Sequence, residues 1–151
     1  MEFRSTVLAV LGMSLAMFSA RDALAQSAAP AAVSLDGHYQ GTLVCERMPG
    51  APSLLRAPLD LIVAGTDVRL ARPMFNLEGT RVTGTEMAGG TIGGDGKLQL
   101  VSRGEAFNAT FQASYNGTLS VAGGTFTGTQ TWTSPFGSRT RNCNGAFVKT
   151  H

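Results

Sequence analysis

Chemistry in a small protein needs a nucleophile with its base, paired acids, or a cluster of metal ligands. The side chains able to supply these are few in this chain. It has two histidines, His38 and His151, the second at the very end. His38 follows Asp36 and Gly37 and falls on the outer face of a predicted strand. No G-x-S-x-G elbow is present to build a Ser/His/Asp set around it. Asp60 and Asp67 flank a predicted turn, and the expected role of outward-facing Asp60 is an ion pair with Arg69. Glu86 shares a strand face with Val82 and Gly84. Turned inward, it needs an arginine partner or has its pKa raised by burial; Arg81, Arg139 and Arg141 are the candidates. A bulged strand would point it to water instead. A glycosidase needs two such acids, and only this one emerges. Cys45 and Cys143 have no nearby CxxC or HxxxH spacing to complete a tetrahedral metal set. Gly93-Gly94-Asp95-Gly96 opens no helix and so reads as a turn, not a phosphate cradle. No catalytic residue, metal or cofactor is expected, which leaves binding as the expected role.

Charge narrows the partners. The formal net charge is +2, with no run of Lys and Arg, which argues against nucleic acid. Basic charge is almost all arginine: Arg47, Arg56, Arg69, Arg72 and Arg81, then Arg139 and Arg141. Arginine suits bidentate recognition of carboxylate or phosphate. Convergence of several at one rim would point to an anionic envelope component or an acidic protein partner.

The elements that must position these groups begin after residue 25. Met1 to Arg4 is positively charged, Thr6 to Ala20 is mostly apolar, and Ala23-Leu24-Ala25 has the small residues a signal peptidase reads. Residues 1–25 are therefore expected to be a secretory signal, cleaved after Ala25. Residues 26–34, Ala/Ser/Pro-rich and without period, read as a flexible leader. Residues 35–151 form the single domain. The signal and the Ala/Gly-rich composition suggest a bacterial protein, periplasmic or secreted, with no membrane insertion of the mature chain. In that oxidising setting the two cysteines, Cys45 and Cys143, are expected to form a disulfide.

Within the domain, hydrophobic alternation with a period of two recurs. Tyr39, Gly41, Leu43 and Cys45 alternate along the first predicted strand, Gly37 to Glu46. Arg47 to Arg56 reads as a loop. Leu59, Leu61 and Val63 face inward on a second strand, and Val68 and Leu70 on a third. Pro73 to Gly79 breaks the pattern, and Thr80 to Met87 resumes it. Gly94-Asp95-Gly96 fits a three-residue hairpin loop, which places Ile92 opposite Leu98. Ala106 to Val121 reads as one long strand with Gly117 as a kink inside it. The parity of apolar residues favours a turn at Gly123-Gly124 over one at Asn116-Gly117. That register pairs Val121 with Phe126, Leu119 with Gly128 and Tyr115 with Trp132. Ser134 to Gly137 turns the chain into a last strand, Arg139 to Lys149, carrying Cys143, Gly145 and Phe147 on one face.

About eight or nine short strands separated by Gly turns predict an all-β fold. A disulfide between the first and last strands requires them to be close. A small antiparallel up-and-down β-barrel satisfies this and removes the exposed edges; a β-sandwich with paired termini is the alternative. The expected function is non-enzymatic binding of a small or envelope-derived ligand at one barrel end, near Tyr115, Trp132, Phe75, Phe136 and Met74. The alternative is a periplasmic inhibitor or structural domain that binds an envelope protein. Room in the lumen beside Tyr115 and Trp132 would favour the first, and a filled lumen with Phe75 or Phe136 exposed the second.

Overall fold

A computed structural model describes residues 33–48, 54–76, 79–106 and 108–150. The expected signal, cleavage site and most of the leader lie outside the described residues. So do Phe107 and His151. The described strands are β1 (Gly37–Cys45), β2 (Leu55–Ala64), β3 (Asp67–Phe75), β4 (Val82–Ile92), β5 (Lys97–Ala106), β6 (Ala109–Leu119), β7 (Gly123–Ser134) and β8 (Gly137–Lys149). They pair in chain order, and β8 returns to β1 to close an antiparallel barrel. The barrel, not the sandwich, is the architecture. Cys45 lies directly opposite Cys143 in the closing β1–β8 ladder and is bonded to it.

Strand direction gives the barrel two ends. At the lower end lie the start of β1, the end of β8 and the β2–β3, β4–β5 and β6–β7 turns. The lower turns follow local chemistry: Gly96, at φ 78°, supplies the left-handed residue of the loop after β4. Ile92 then faces Leu98 as expected. The lower lumen is filled by alternating residues of every strand, among them Tyr39, Leu61, Val63, Val68, Leu70, Ile92, Leu98, Leu100, Leu119 and Phe147. A row of rings crosses it. Tyr115 and Phe126 are 4.9 Å apart, Phe126 and Phe147 6.0 Å, and Phe147 and Tyr39 6.1 Å. Opposite these rings stand Gly128, Gly145 and Gly41. A Cβ there would collide with Tyr115, Phe126 and Phe147 respectively, so small residues make room for large ones.

Several expectations need correction. The stretch from Ala106 to Val121 is not one strand: β5 ends at Ala106, Asn108 turns the chain at φ 57°, and β6 begins at Ala109. Gly117 does lie inside β6. The turn after β6 is made by Ser120 to Ala122, not by Gly123-Gly124, which already belong to β7. Leu119 therefore faces Gly124, and Tyr115 faces Gly128 instead of Trp132; Trp132 faces Phe111. Gly123 serves close packing, since a Cβ on it would meet the Phe147 carbonyl oxygen at 2.2 Å. The strand after the first loop begins at Leu55, so the predicted loop ends short of Arg56. β3 runs through Pro73 to Phe75, with a bulge between Met74 and Phe75, where a break was expected.

Pro73 is tolerated for a structural reason. The β2–β3 ladder runs only from Ala64↔Asp67 to Asp60↔Ala71. Above it, β3 is an edge on that side, the position where proline removes no ladder bond. Facing it across this seam, the upper part of β2 carries Pro58. A second seam opens on the other side of the same hairpin. The β4–β5 ladder stops at Ala88↔Ser102, although β4 continues up to Val82 paired with β3, and β5 up to Ala106 paired with β6. The upper β3–β4 hairpin is thus a flap, ladder-paired to itself but to neither neighbouring strand, with the Ser102 hydroxyl donating to the Met87 carbonyl at 3.1 Å at its base.

Candidate functional site

The flap is fastened from inside the barrel. Arg72 and Glu86 face each other across β3 and β4. Both are buried, at 3% and 0% exposure, and form an ion pair between the Arg72 Nη2 and the Glu86 Oε2. Arg72 Nη1 also donates to the Pro73 carbonyl at 3.1 Å. From the opposite wall, the Tyr115 hydroxyl donates to Glu86 Oε1 at 3.1 Å. Gln130 Nε2 donates to Glu86 Oε2 at 3.2 Å and to the Tyr115 hydroxyl at 2.7 Å. These contacts orient the Gln130 amide with its oxygen toward β8. There it accepts from Arg141 Nε at 3.0 Å and Nη2 at 2.6 Å. Burial, and then the Glu86 charge, push the Tyr115 hydroxyl well above its ordinary value, which keeps it a neutral donor. Burial first, and the neighbouring Arg72 second, push Arg141 down to about 10. At neutral pH it is still a cation, held under an unfavourable load.

The partner of Glu86 is therefore Arg72, not Arg81 or Arg139. Arg141 belongs to the same network but reaches it through Gln130. The expectation that a bulge would turn Glu86 to water is wrong, because the bulge lies one layer higher, at Met74 and Phe75. Asp60 also has other partners than expected. On the outer face it accepts from Gln40 Nε2 at 2.9 Å and lies 3.2 Å from His38 Nε2, and no Arg69 ion pair occurs among the described residues. His38 thus sits outside, near the lower end, far along β1 from the layer of Glu86. Among the described residues no group of three or more His, Cys, Asp and Glu side chains is placed to hold a metal.

Above the network, along the β4–β5 seam, lies a cleft of about 450 Å³. Met74 and Phe111 give it apolar walls, Thr83 and Thr85 line β4, and Arg103 and Glu105 bring opposite charges from β5. Two glycines keep it open. Gly84 occupies an inward position opposite Met74, and a Cβ added there would meet nothing within 4 Å. Gly104 lies under the Phe111 ring, whose Cε1 would be 2.6 Å from an added Cβ. The far side of that ring system continues into Trp132, stacked on Phe111 with centroids 5.0 Å apart and planes at 28°.

The five residues expected at the ligand end are distributed as follows. Met74 is buried and lines the cleft. Trp132 is partly exposed at the upper end and reaches the cleft through Phe111. Phe75 is partly exposed at the bulge of the flap. Phe136 is 99% exposed at the tip of the β7–β8 turn. Tyr115 lies deeper, within the buried network, and does not border the cleft. Met74, Phe75, Trp132 and Phe136 share the upper end. The lumen beside Tyr115 is filled, and the open space lies at the seam. Phe111, Gly84 and Gly104 were missed as site residues. Their signal was the alternation itself, which put Phe111 and Gly84 on inward faces.

The seam makes a local prediction. Ladder bonds protect amides from solvent, and upper β4 has them on one side only. In hydrogen-exchange NMR, the amides of Thr83 to Met87 that face β5 should exchange much faster than the paired amides of Ala88 to Ile92. Equal protection on both halves of β4 would show that the ladder extends to the rim.

Comparison of the chain with protein-family models, with curated proteins and with solved structures gives no match.

Proposed function

We propose that this protein is an exported bacterial binding module, not an enzyme, and that it takes a small ligand in the cleft under the β3–β4 flap. The observation that carries this reading is the cleft of about 450 Å³ where the wall opens, within the usual ~300–1,000 Å³ of small-molecule sites. Its lining is mixed: Met74 and Phe111 supply apolar surface, and Thr83, Thr85, Arg103 and Glu105 as much polar surface. The Cys45–Cys143 disulfide suits an oxidising compartment, and the expected signal directs the chain to the periplasm or beyond.

The test uses Gly84. Because a Cβ there meets nothing, Gly84→Phe should fill the cleft while changing stability by no more than about 0.5 kcal/mol. Native mass spectrometry of the exported protein should find a small co-purified ligand on the natural chain and none on the variant. A ligand retained by the folded variant, or none on either, contradicts the reading. A second reading, binding of an envelope protein, is favoured by two observations, the filled lumen beside Tyr115 and the fully exposed Phe136; the cleft at the seam is what supports the small ligand over it. Phe136→Ser should leave the small ligand in place; it is the change that would weaken a protein partner.

A further inference from the structure

Charge and hydrogen-bonding capacity at the upper end do not balance. The network holds two guanidinium groups, Arg72 and Arg141, against one carboxylate, Glu86. Glu86 is taken by Arg72. Arg141 donates to the neutral Gln130 oxygen and has no carboxylate partner among the described residues. Donors are in excess as well: Arg72 Nε and Trp132 Nε1 are buried with no acceptor among the described residues. Buried donors normally find one.

The register places two of these donors together. Gln130 faces Arg141, and Trp132 faces Arg139. Trp132 is thus the diagonal neighbour of Arg141 across β7 and β8, about 7–8 Å away along the sheet. Both share the inward face of Gln130. Trp132 also stacks on Phe111, and Phe111 is a wall of the cleft. Phe111 thus links the cleft, on one side, to Trp132 and its neighbour Arg141 on the other; neither of these lines the cleft itself.

We propose that the ligand of this cleft is an organic carboxylate, with its anion between Arg141 and Trp132 Nε1 and its apolar body along Phe111 and Met74. This rests on the cleft being the ligand site. A single carboxylate matches the single excess positive charge of the network. Arginine holds it bidentately, and the indole N–H gains the acceptor it lacks. Arg103 and Glu105 at the cleft edge offset each other and leave the choice to the interior.

Trp132 is the only tryptophan in the chain, so its fluorescence reports on the site directly. The folded protein is titrated with decanoate and with decanol, which share an apolar body and differ in charge. Decanoate should change Trp132 emission saturably and bind roughly tenfold or more tighter than decanol, as expected of a hydrogen bond to a charged group. Arg141→Gln should abolish that preference. Arg141→Lys, which keeps the charge but not the fork, should restore part of it. Circular dichroism checks that each variant is folded. Equal binding of decanoate and decanol by the natural chain overturns the carboxylate proposal and leaves the cleft reading standing. Undiminished decanoate preference in Arg141→Gln does the same. Binding of neither compound overturns both.

Discussion

Glu86→Ala should destabilise the domain by about 3–5 kcal/mol, the cost of leaving a buried charge without its partner. The substitution strands the Arg72 guanidinium at 3% exposure and removes the acceptor that Tyr115 and Gln130 reach from the far wall. With a total stability of about 5–15 kcal/mol typical of a domain, this is among the most damaging single changes available. Urea unfolding measures it. The mechanism makes a second demand. Replacing both charges, as Arg72→Met with Glu86→Leu, should recover at least about 2 kcal/mol of the loss, because a buried pair can be exchanged for apolar packing at little cost. Were the double variant as unstable as Glu86→Ala, the buried charge would not be the cause. The loss should also be local in origin: the flap has ladder bonds to neither β2 nor β5 above Ala71 and Ala88. The Glu86 contacts to Tyr115 and Gln130 are what tie it across the lumen.

The second large effect belongs to the disulfide. Cys45 and Cys143 are 98 residues apart, and closing a loop of that length should stabilise the fold by about 4.7 kcal/mol in the chain-entropy model. Cys45→Ala with Cys143→Ala should lower stability by roughly 2–5 kcal/mol, measured by denaturant unfolding against the oxidised parent. The barrel should nevertheless stay closed, since β1 and β8 are paired from Tyr39↔Lys149 to Cys45↔Cys143. Unchanged far-ultraviolet circular dichroism is the expected sign. A loss under about 1 kcal/mol would mean that the unfolded chain is already compact enough for the bridge to restrict little.

The fold was largely legible because its signals are local. Alternation fixes which face a residue shows, and Leu61, Val63, Val68, Leu70, Leu98 and Leu100 are all buried as their parity predicts. Alternation does not fix which residues pair. Sliding β7 along β6 by an even number of residues keeps every face and changes every partner. That is why Tyr115 was matched to Trp132 when it faces Gly128. Gly123 and Gly124 resembled a turn but serve close backbone approach within the sheet. The buried network was less legible still. Its central pair needs Arg72 and Glu86 in register, and that requires β3 to pass through Pro73. A proline in mid-pattern ordinarily argues against a strand; here the strand has a free edge, and that edge is a property of the ladders. The cleft has the same origin, because it lies where the β4–β5 ladder stops.

The most direct test of the binding account is chemical-shift mapping on the isotope-labelled domain, titrated with the ligand recovered from it by native mass spectrometry. The account predicts saturable shifts concentrated at Gly84, Thr85, Gly104, Phe111 and the Trp132 indole, all lost in Gly84→Phe. Shifts centred on the Phe136 turn or on the lower end of the barrel, with the cleft residues unmoved, would contradict it.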